Sequence, residues 1–284
     1  MNTSHTLPDF SYMMKVGQLR HIQSTRESGA FWNPDTLVWQ FLSPAQRWSC
    51  LWRGRLLLQR LRADPFYDYV LARTRYYDEV FVDALCAGAQ RVINVGCGSD
   101  TRAYRYAHLL ASKGIRVLEC DQSGAIEAKQ AIARRRLPVD HVDYAPIDLN
   151  DGAWPQLEAS LAAQPPGPTL VLMEGVSPYV NTDAFTAFLR LLSDRLAAGS
   201  RIAYDFKIRG VKDGFGLEGR TSDPFRLSTA ESELDDFHRA LGLRLVHSET
   251  SSALTARLLP GTAARPARVF AHDALVQLEV PARA

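Results

Sequence analysis

The feature that most constrains this chain is a strand that runs directly into glycines, Arg91-Val92-Ile93-Asn94-Val95-Gly96-Cys97-Gly98-Ser99-Asp100. A short β-branched run of this kind reads as a buried strand. Gly-x-Gly at its carboxyl end leaves the backbone bare, so a ligand can lie against it as the chain turns into a helix. Glycine also ends strands for structural reasons alone, and one such turn decides little. The following strands decide more. Arg116 to Asp121 reads as a second strand, ending on an acid roughly 20 residues on, where a carboxylate accepts ribose hydroxyls in doubly wound folds. Val142 to Ile147 reads as a third, followed by Asp148-Leu149-Asn150, and Thr169 to Met173 as a fourth, followed by Glu174-Gly175. Gly, Asp, Asp and Glu at successive strand ends describe a pocket shaped for adenosine. A nicotinamide dinucleotide site is disfavoured, because Thr101 stands where Gly-x-Gly-x-x-Gly requires its last glycine.

Four segments carry a family likeness: Ala72-Arg73-Thr74-Arg75, the run from Gly96 through Asp100-Thr101-Arg102-Ala103-Tyr104-Arg105, Glu119-Cys120-Asp121-Gln122, and Glu174-Gly175-Val176-Ser177-Pro178-Tyr179. Together they resemble the leucine carboxyl methyltransferase family, a branch of the class I S-adenosylmethionine (SAM) dependent methyltransferases with many bacterial members. The likeness spans Asp64 to Val180 and is most specific at the Asp-Thr-Arg-Ala-Tyr-Arg stretch. It implies an α/β, Rossmann-like class I methyltransferase fold: a seven-stranded, mostly parallel sheet with an N-terminal helical lid. It also implies SAM as cofactor, with Arg73 holding the SAM carboxylate, as a guanidinium fork suits bidentate pairing. A surface arginine in an i,i+4 pair is the plainer alternative for Arg73. On the same expectation Gly96 and Gly98 pass beneath the aminobutyryl chain, Asp121 binds the ribose, and Asp148 and Leu149 flank the adenine. Glu174 partners the SAM amine through its side chain or its backbone carbonyl.

Outside those segments the chain divides into a lid, residues 1–64, and a core, residues 65–284. The lid holds Trp32, Trp39, Trp48 and Trp52, with Phe10, Tyr12, Phe31 and Phe41. Asn33-Pro34-Asp35 reads as a helix start, with proline pre-set for the first turn. Ser43-Pro44 starts another helix running toward Arg62, with Trp48, Leu51, Trp52 and Leu56 on one face. These aromatics are expected to pack against the sheet, with one or two facing the sulfonium as cation–π partners. A long helix from Phe66 to Leu85 follows, then α/β alternation. Arg201 to Phe206 reads as a fifth strand, and the glycine-bearing Lys207 to Ser222 as a mobile loop near the site. Leu243 to Ser248 and Ala274 to Val280 read as the last, antiparallel strands.

Composition narrows the partners. The formal net charge is +2, which gives no ground for a nucleic-acid partner or for strong attraction to anionic membranes. No apolar run approaches the ~20 residues of a membrane span, and no secretory leader is visible, so a cytoplasmic protein with a small-molecule substrate is expected. Cys50, Cys86, Cys97 and Cys120 form no Cys-x-x-Cys pair and read as inert buried thiols, with no metal required. Arg134-Arg135-Arg136 reads as a solvated helix end.

The chemistry expected is O-methyl transfer to a carboxylate of a small metabolite. A carboxylate is already ionised at neutral pH, so this reaction asks for no general base. The histidines are scattered without visible partners; His21, in the lid, is retained as a candidate with Tyr179 and Tyr76. Two alternatives stay open. SAM can cyclise to azetidine-2-carboxylate with release of methylthioadenosine in a pocket with a dry, aromatic lid. A non-catalytic SAM or nucleoside binder would share the same fold. The oligomeric state is not legible.

Overall fold

The computed structural model describes residues 10–163, 167–211, 224–261 and 265–282. Helices α1 (Phe10–Arg26), α2 (Pro44–Leu56), α3 (Leu58–Ala63) and α4 (Pro65–Cys86) come first. They are followed by β1 (Arg91–Val95), α5 (Arg102–Arg105), α6 (Ala107–Ser112), β2 (Arg116–Asp121), α7 (Ser123–Arg136), β3 (Val142–Pro146), α8 (Pro155–Ala162) and β4 (Thr169–Met173). The chain ends with α9 (Thr182–Arg195), β5 (Arg201–Ile208), β6 (Arg226–Leu227), α10 (Glu231–Arg239), β7 (Arg244–Thr250), α11 (Ser251–Leu258) and β8 (Asp273–Glu279).

The strands form one sheet in the order β3-β2-β1-β4-β5-β8-β7, with the two-residue β6 paired on β5. The pairs among β1 to β5 are parallel, whereas β8 runs antiparallel to both β5 and β7. This is the expected seven-stranded, mostly parallel sheet, extended by the short β6. Its alternation explains why it is covered on both faces. Ile93, Val95, Leu118, Cys120, Val171, Met173, Ile202, Tyr204 and Phe206 point into one core with residues of α8, α9 and α10. Val92, Val117, Leu170, Leu172 and Ala203 point into a second with residues of α4, α7 and α11. Strands buried on both faces read as continuous apolar runs, which is how the sequence presents them. The chain moves outward from β1 through β2 to β3, then returns to place β4 on the other side of β1. That reversal opens a crevice at the carboxyl ends of β1 and β4, the place where ligands bind in open α/β sheets.

Two expectations for the lid need correcting. No helix starts at Asn33-Pro34-Asp35; a bend and a 3-10 turn at Val38–Phe41 stand there instead. The polar side chains are used elsewhere. Asn33 Oδ1 accepts from the Asp35 amide at 2.8 Å, and Asp35 Oδ1 accepts from the Val38 amide and the Thr101 hydroxyl. The lid aromatics also divide: Phe31 and Phe41 are buried in the core that holds Val92 and Leu172 of the sheet, as expected, whereas Trp32, Trp39, Trp48 and Trp52 are exposed. Ser43 does cap α2 as its sequence suggests, in a reciprocal capping box with Gln46. Most of the loop expected near the site, residues 212–222, lies outside the described residues. Cys86 is exposed, while Cys50, Cys97 and Cys120 are buried and free. Among the described residues no helix is long and apolar enough to cross a membrane.

Candidate functional site

The crevice holds a cleft of about 1260 Å³, its open mouth included. Gly96, Gly98, Asp121, Asp148, Leu149, Glu174, Arg73 and Tyr179 all line it. Sequence reasoning therefore selects residues from α4 and four strand ends that the fold brings together.

Backbone conformation builds the near wall. Gly96 sits at φ +64° and Gly98 at φ +40°, where a side chain is strained. A Cβ on Gly96 would meet Val176 Cγ2 at 2.4 Å. Asp121, at the end of β2, turns back toward this turn: its Oδ2 accepts from the Gly98 amide at 2.7 Å and its Oδ1 from the Gln122 amide at 2.8 Å. Burial pushes its carboxyl above the ordinary range, against the pull of those two amides. Asp148, after β3, accepts from the Asn150 amide and from Gln122 Nε2 at 2.8 Å. Behind the wall, Lys129 of α7 donates to Glu119 at 2.7 Å and to the Cys97 carbonyl at 3.3 Å, fixing the turn from below. Burial pushes the Cys97 and Cys120 thiols upward, so neither is a nucleophile at neutral pH.

The far end is dominated by charge. Glu174 Oε1 accepts from Arg20 and, at 3.2 Å, from Arg73 Nε; its Oε2 accepts from Arg102 at 2.8 Å. Burial disfavours this carboxylate, but Arg20, Arg102 and Arg73 outweigh it and hold its pKa at about 2. The side chain of Glu174 thus pairs with three guanidiniums, so of the two routes expected to the SAM amine, side chain or backbone carbonyl, the first is already engaged. Arg73 also donates to Asp205 at 3.2 Å, and Asp205 accepts from Tyr77 at 2.9 Å and the Gly175 amide at 2.7 Å. Arg102 is fully buried and donates to Asp78 and Asp100 as well. That network joins Asp100 and Arg102 of the Asp-Thr-Arg stretch to Glu174 at the end of β4.

Two candidates fall outside the cleft. Tyr76 is buried with its ring against Tyr77, and its hydroxyl faces Gln277 of β8 rather than the cleft. Successive helical residues diverge by about 100°, and it is Tyr77 that reaches the Asp205 cluster. The same geometry displaces His21 in favour of its neighbour. Arg20 lines the cleft and His21 does not. Burial and Arg26 lower the His21 pKa.

Sequence reasoning missed Arg20, Asp205, Lys207 and Asp273, all cleft residues. Lys207 pairs with Asp273 at 2.6 Å, each almost fully buried. Asp205 and Lys207 alternate on β5 while Asp273 opens β8, so only the antiparallel pairing Lys207↔Asp273 joins them. A hint existed, since Asp205 and Lys207 are charges inside a strand that is otherwise apolar after Arg201, and buried charges call for partners. Arg20 Nε is a buried donor without a hydrogen-bond partner, the kind of group that a bound anion satisfies.

Comparisons with known proteins bear on this cleft. The model of the leucine carboxyl methyltransferase family matches residues 16–193. A putative S-adenosyl-L-methionine-dependent methyltransferase of Mycobacterium avium (strain 104) is 34% identical over 157 residues, 55% of this chain and 46% of that relative. A relative of the same description from Streptomyces avermitilis is 27% identical over 208 residues, 72% of this chain and 71% of its own length. The chain thus spans about half the length of the first relative. Among solved structures, the magnesium protoporphyrin IX methyltransferase of Synechocystis PCC 6803 with bound SAM is 15% identical with a TM-score of 0.46, covering 75% of this chain and 81% of that one.

Proposed function

The chain belongs to the leucine carboxyl methyltransferase family, and on that premise we propose that its cleft binds SAM and directs methyl transfer to a carboxylate oxygen of a small molecule. One observation carries the reading. Asp121, Asp148, Glu174 and Arg73, from separate elements, line one cleft with the bare Gly96 to Gly98 backbone. The residues suit the ligand in that Arg20 Nε, on a side chain lining the cleft, presents an unsatisfied buried donor.

SAM, when bound, supplies a sulfonium-activated methyl group that is open to in-line attack. Arg20 and Arg73 would hold its carboxylate, Asp121 its ribose hydroxyls, and Asp148 with Leu149 its adenine. The protein's task is then to hold two reactants in line and exclude water. Phe66, Pro178 and Tyr179 with Lys207 and Asp273 supply the remaining wall, where the Lys207 ammonium would orient an anionic oxygen that arrives already ionised. No general base is needed for that acceptor. Cyclisation of SAM is not favoured, because the relatives are named as methyltransferases.

The test is calorimetry with SAM and S-adenosylhomocysteine, followed by mass spectrometry with a panel of small carboxylic acids. The reading expects binding of both nucleosides, and methyl ester with S-adenosylhomocysteine only when an acid is present. Absence of binding would remove the cofactor. Turnover with phenols or amines but no acid would remove the acceptor class.

A further inference from the structure

Helix α2 is apolar on two opposite faces, and only one is covered. Cys50 and Gly54 face inward, with Gly54 packed against Ile22 of α1. Cys50 belongs to a small core with Ile22, Leu42 and Tyr67, against which Leu58 and Leu61 of α3 also pack. On the outer face Trp48, Leu51, Trp52 and Leu56 are 64%, 56%, 57% and 73% exposed. The two indoles lie 5.7 Å apart, so they form one patch. A contiguous exposed apolar stripe on a helix whose opposite face is already packed calls for a cover.

Charge indicates what covers it. Between Ser43 and Ala63 the sequence holds Arg47, Arg53, Arg55, Arg60 and Arg62 and no acid. Arg62 is paired with Glu27 and Arg47 is held by carbonyls of the lid. Arg53, Arg55 and Arg60 are exposed and engaged in no ion pair among the described residues. The net charge of +2 hides this local excess. A second copy docked face to face would bring these cations toward their own equivalents, which disfavours it. Tryptophan and leucine on one face with arginines beside them is the pattern that lies flat at a lipid–water interface, indoles at headgroup depth.

We propose that the outer face of α2 is a docking surface for an anionic lipid bilayer, entered by Trp48, Leu51, Trp52 and Leu56 and held by Arg53, Arg55 and Arg60. Helix α2 packs on α1, whose Val16 and Arg20 line the cleft. Docking therefore sets the lid, one helix away from the site, at the membrane surface.

The experiment is co-sedimentation of the full chain with vesicles of phosphatidylcholine alone or mixed with phosphatidylglycerol. Tryptophan emission is followed in parallel, with SAM calorimetry as the check on folding. The mixed vesicles are expected to bind about tenfold or more tightly, with a blue shift in emission and loss of binding in high salt. Trp48→Ala/Trp52→Ala and Arg53→Glu/Arg55→Glu should each abolish co-sedimentation while SAM affinity is unchanged. Three results would overturn the proposal: no preference for the anionic vesicles, binding unaltered in both variants, or a dimer in sedimentation velocity that Trp48→Ala/Trp52→Ala dissociates. Binding to duplex DNA as tight as to the vesicles, with no blue shift, would equally sink it.

Discussion

At the scale of single residues, Asp121 and His238 allow the sharpest tests. Asp121 already accepts two backbone amides, so it is held rigidly toward the cleft. Replacing it with alanine should weaken SAM binding by ~2 kcal/mol or more, the scale of a lost charged acceptor. Calorimetry that returned wild-type affinity would take Asp121 out of the site. His238 has a different role. Its Nδ1 lies 2.6 Å from the Leu234 carbonyl and its Nε2 2.7 Å from the Tyr204 hydroxyl. A carbonyl can only accept, so the ring donates at Nδ1, and in the neutral form that burial favours it accepts at Nε2 from the Tyr204 hydroxyl. Burial lowers its pKa from 6.5 to about 4. The unfolded chain takes up a proton below pH 6.5 and the folded one only near 4, so stability present above 6.5 is lost as pH falls through that window. The loss at full protonation is about 3 kcal/mol. Denaturant melts at pH 7 and pH 4 should show it, and His238→Gln should remove most of the difference. An equal slope in the variant would assign the effect elsewhere. The sequence marked Asp121 by its place at a strand end; His238 had no visible partner because Tyr204 comes from another element.

At the scale of elements, the turn after β1 is the most demanding. Gly96→Ala combines a left-handed backbone with a Cβ that would lie 2.4 Å from Val176. The expected cost is about 2–4 kcal/mol, strain and overpacking together, with loss of SAM binding. Gly152→Ala is the control: φ is +72° but no atom lies within 4 Å of the added Cβ, so only the backbone strain of about 1–2 kcal/mol remains. Equal costs in thermal melts would show that contact with Val176 does not matter. Elements were legible where cap and periodicity agreed, as in α4, whose Asp64 accepts from the Phe66 amide; the helix expected from Ser43-Pro44 toward Arg62 starts there but breaks at Leu57 into α2 and α3. Helix α11 was missed between the last two strands although Thr250 caps it by accepting from the Ala253 amide. Eight residues hold too few turns for a periodic signal to stand out.

At the scale of the molecule, the N-terminal helices are joined to the sheet by charge. Arg20 of α1 reaches Glu174 beyond β4, and the buried Asp35 accepts from Thr101, beside the first turn. Burial pushes the Asp35 carboxyl up, against Arg20, Arg105 and the Thr101 hydroxyl. Arg20→Ala should reduce SAM affinity by about 2 kcal/mol and speed hydrogen exchange along α1, since Glu174 keeps Arg73 and Arg102 and the core stays intact. Weakened binding with unchanged exchange would mean that Arg20 contacts ligand without holding the lid. Exchange that rises across all elements alike would mean global destabilisation instead.

The sequence by itself determined the alternating α/β order, the four strand ends and the turn that only glycine allows, because these depend on local spacing and backbone sterics. Tertiary structure alone decided that Arg20 rather than His21 faces the cleft, since a helix has no orientation until it is packed. It also decided that Lys207 and Asp273 meet, because antiparallel register brings together residues far apart in the chain. The tryptophan face of α2 shows the same limit: periodicity drew the stripe, and only the packing of the opposite face on α1 turned it outward.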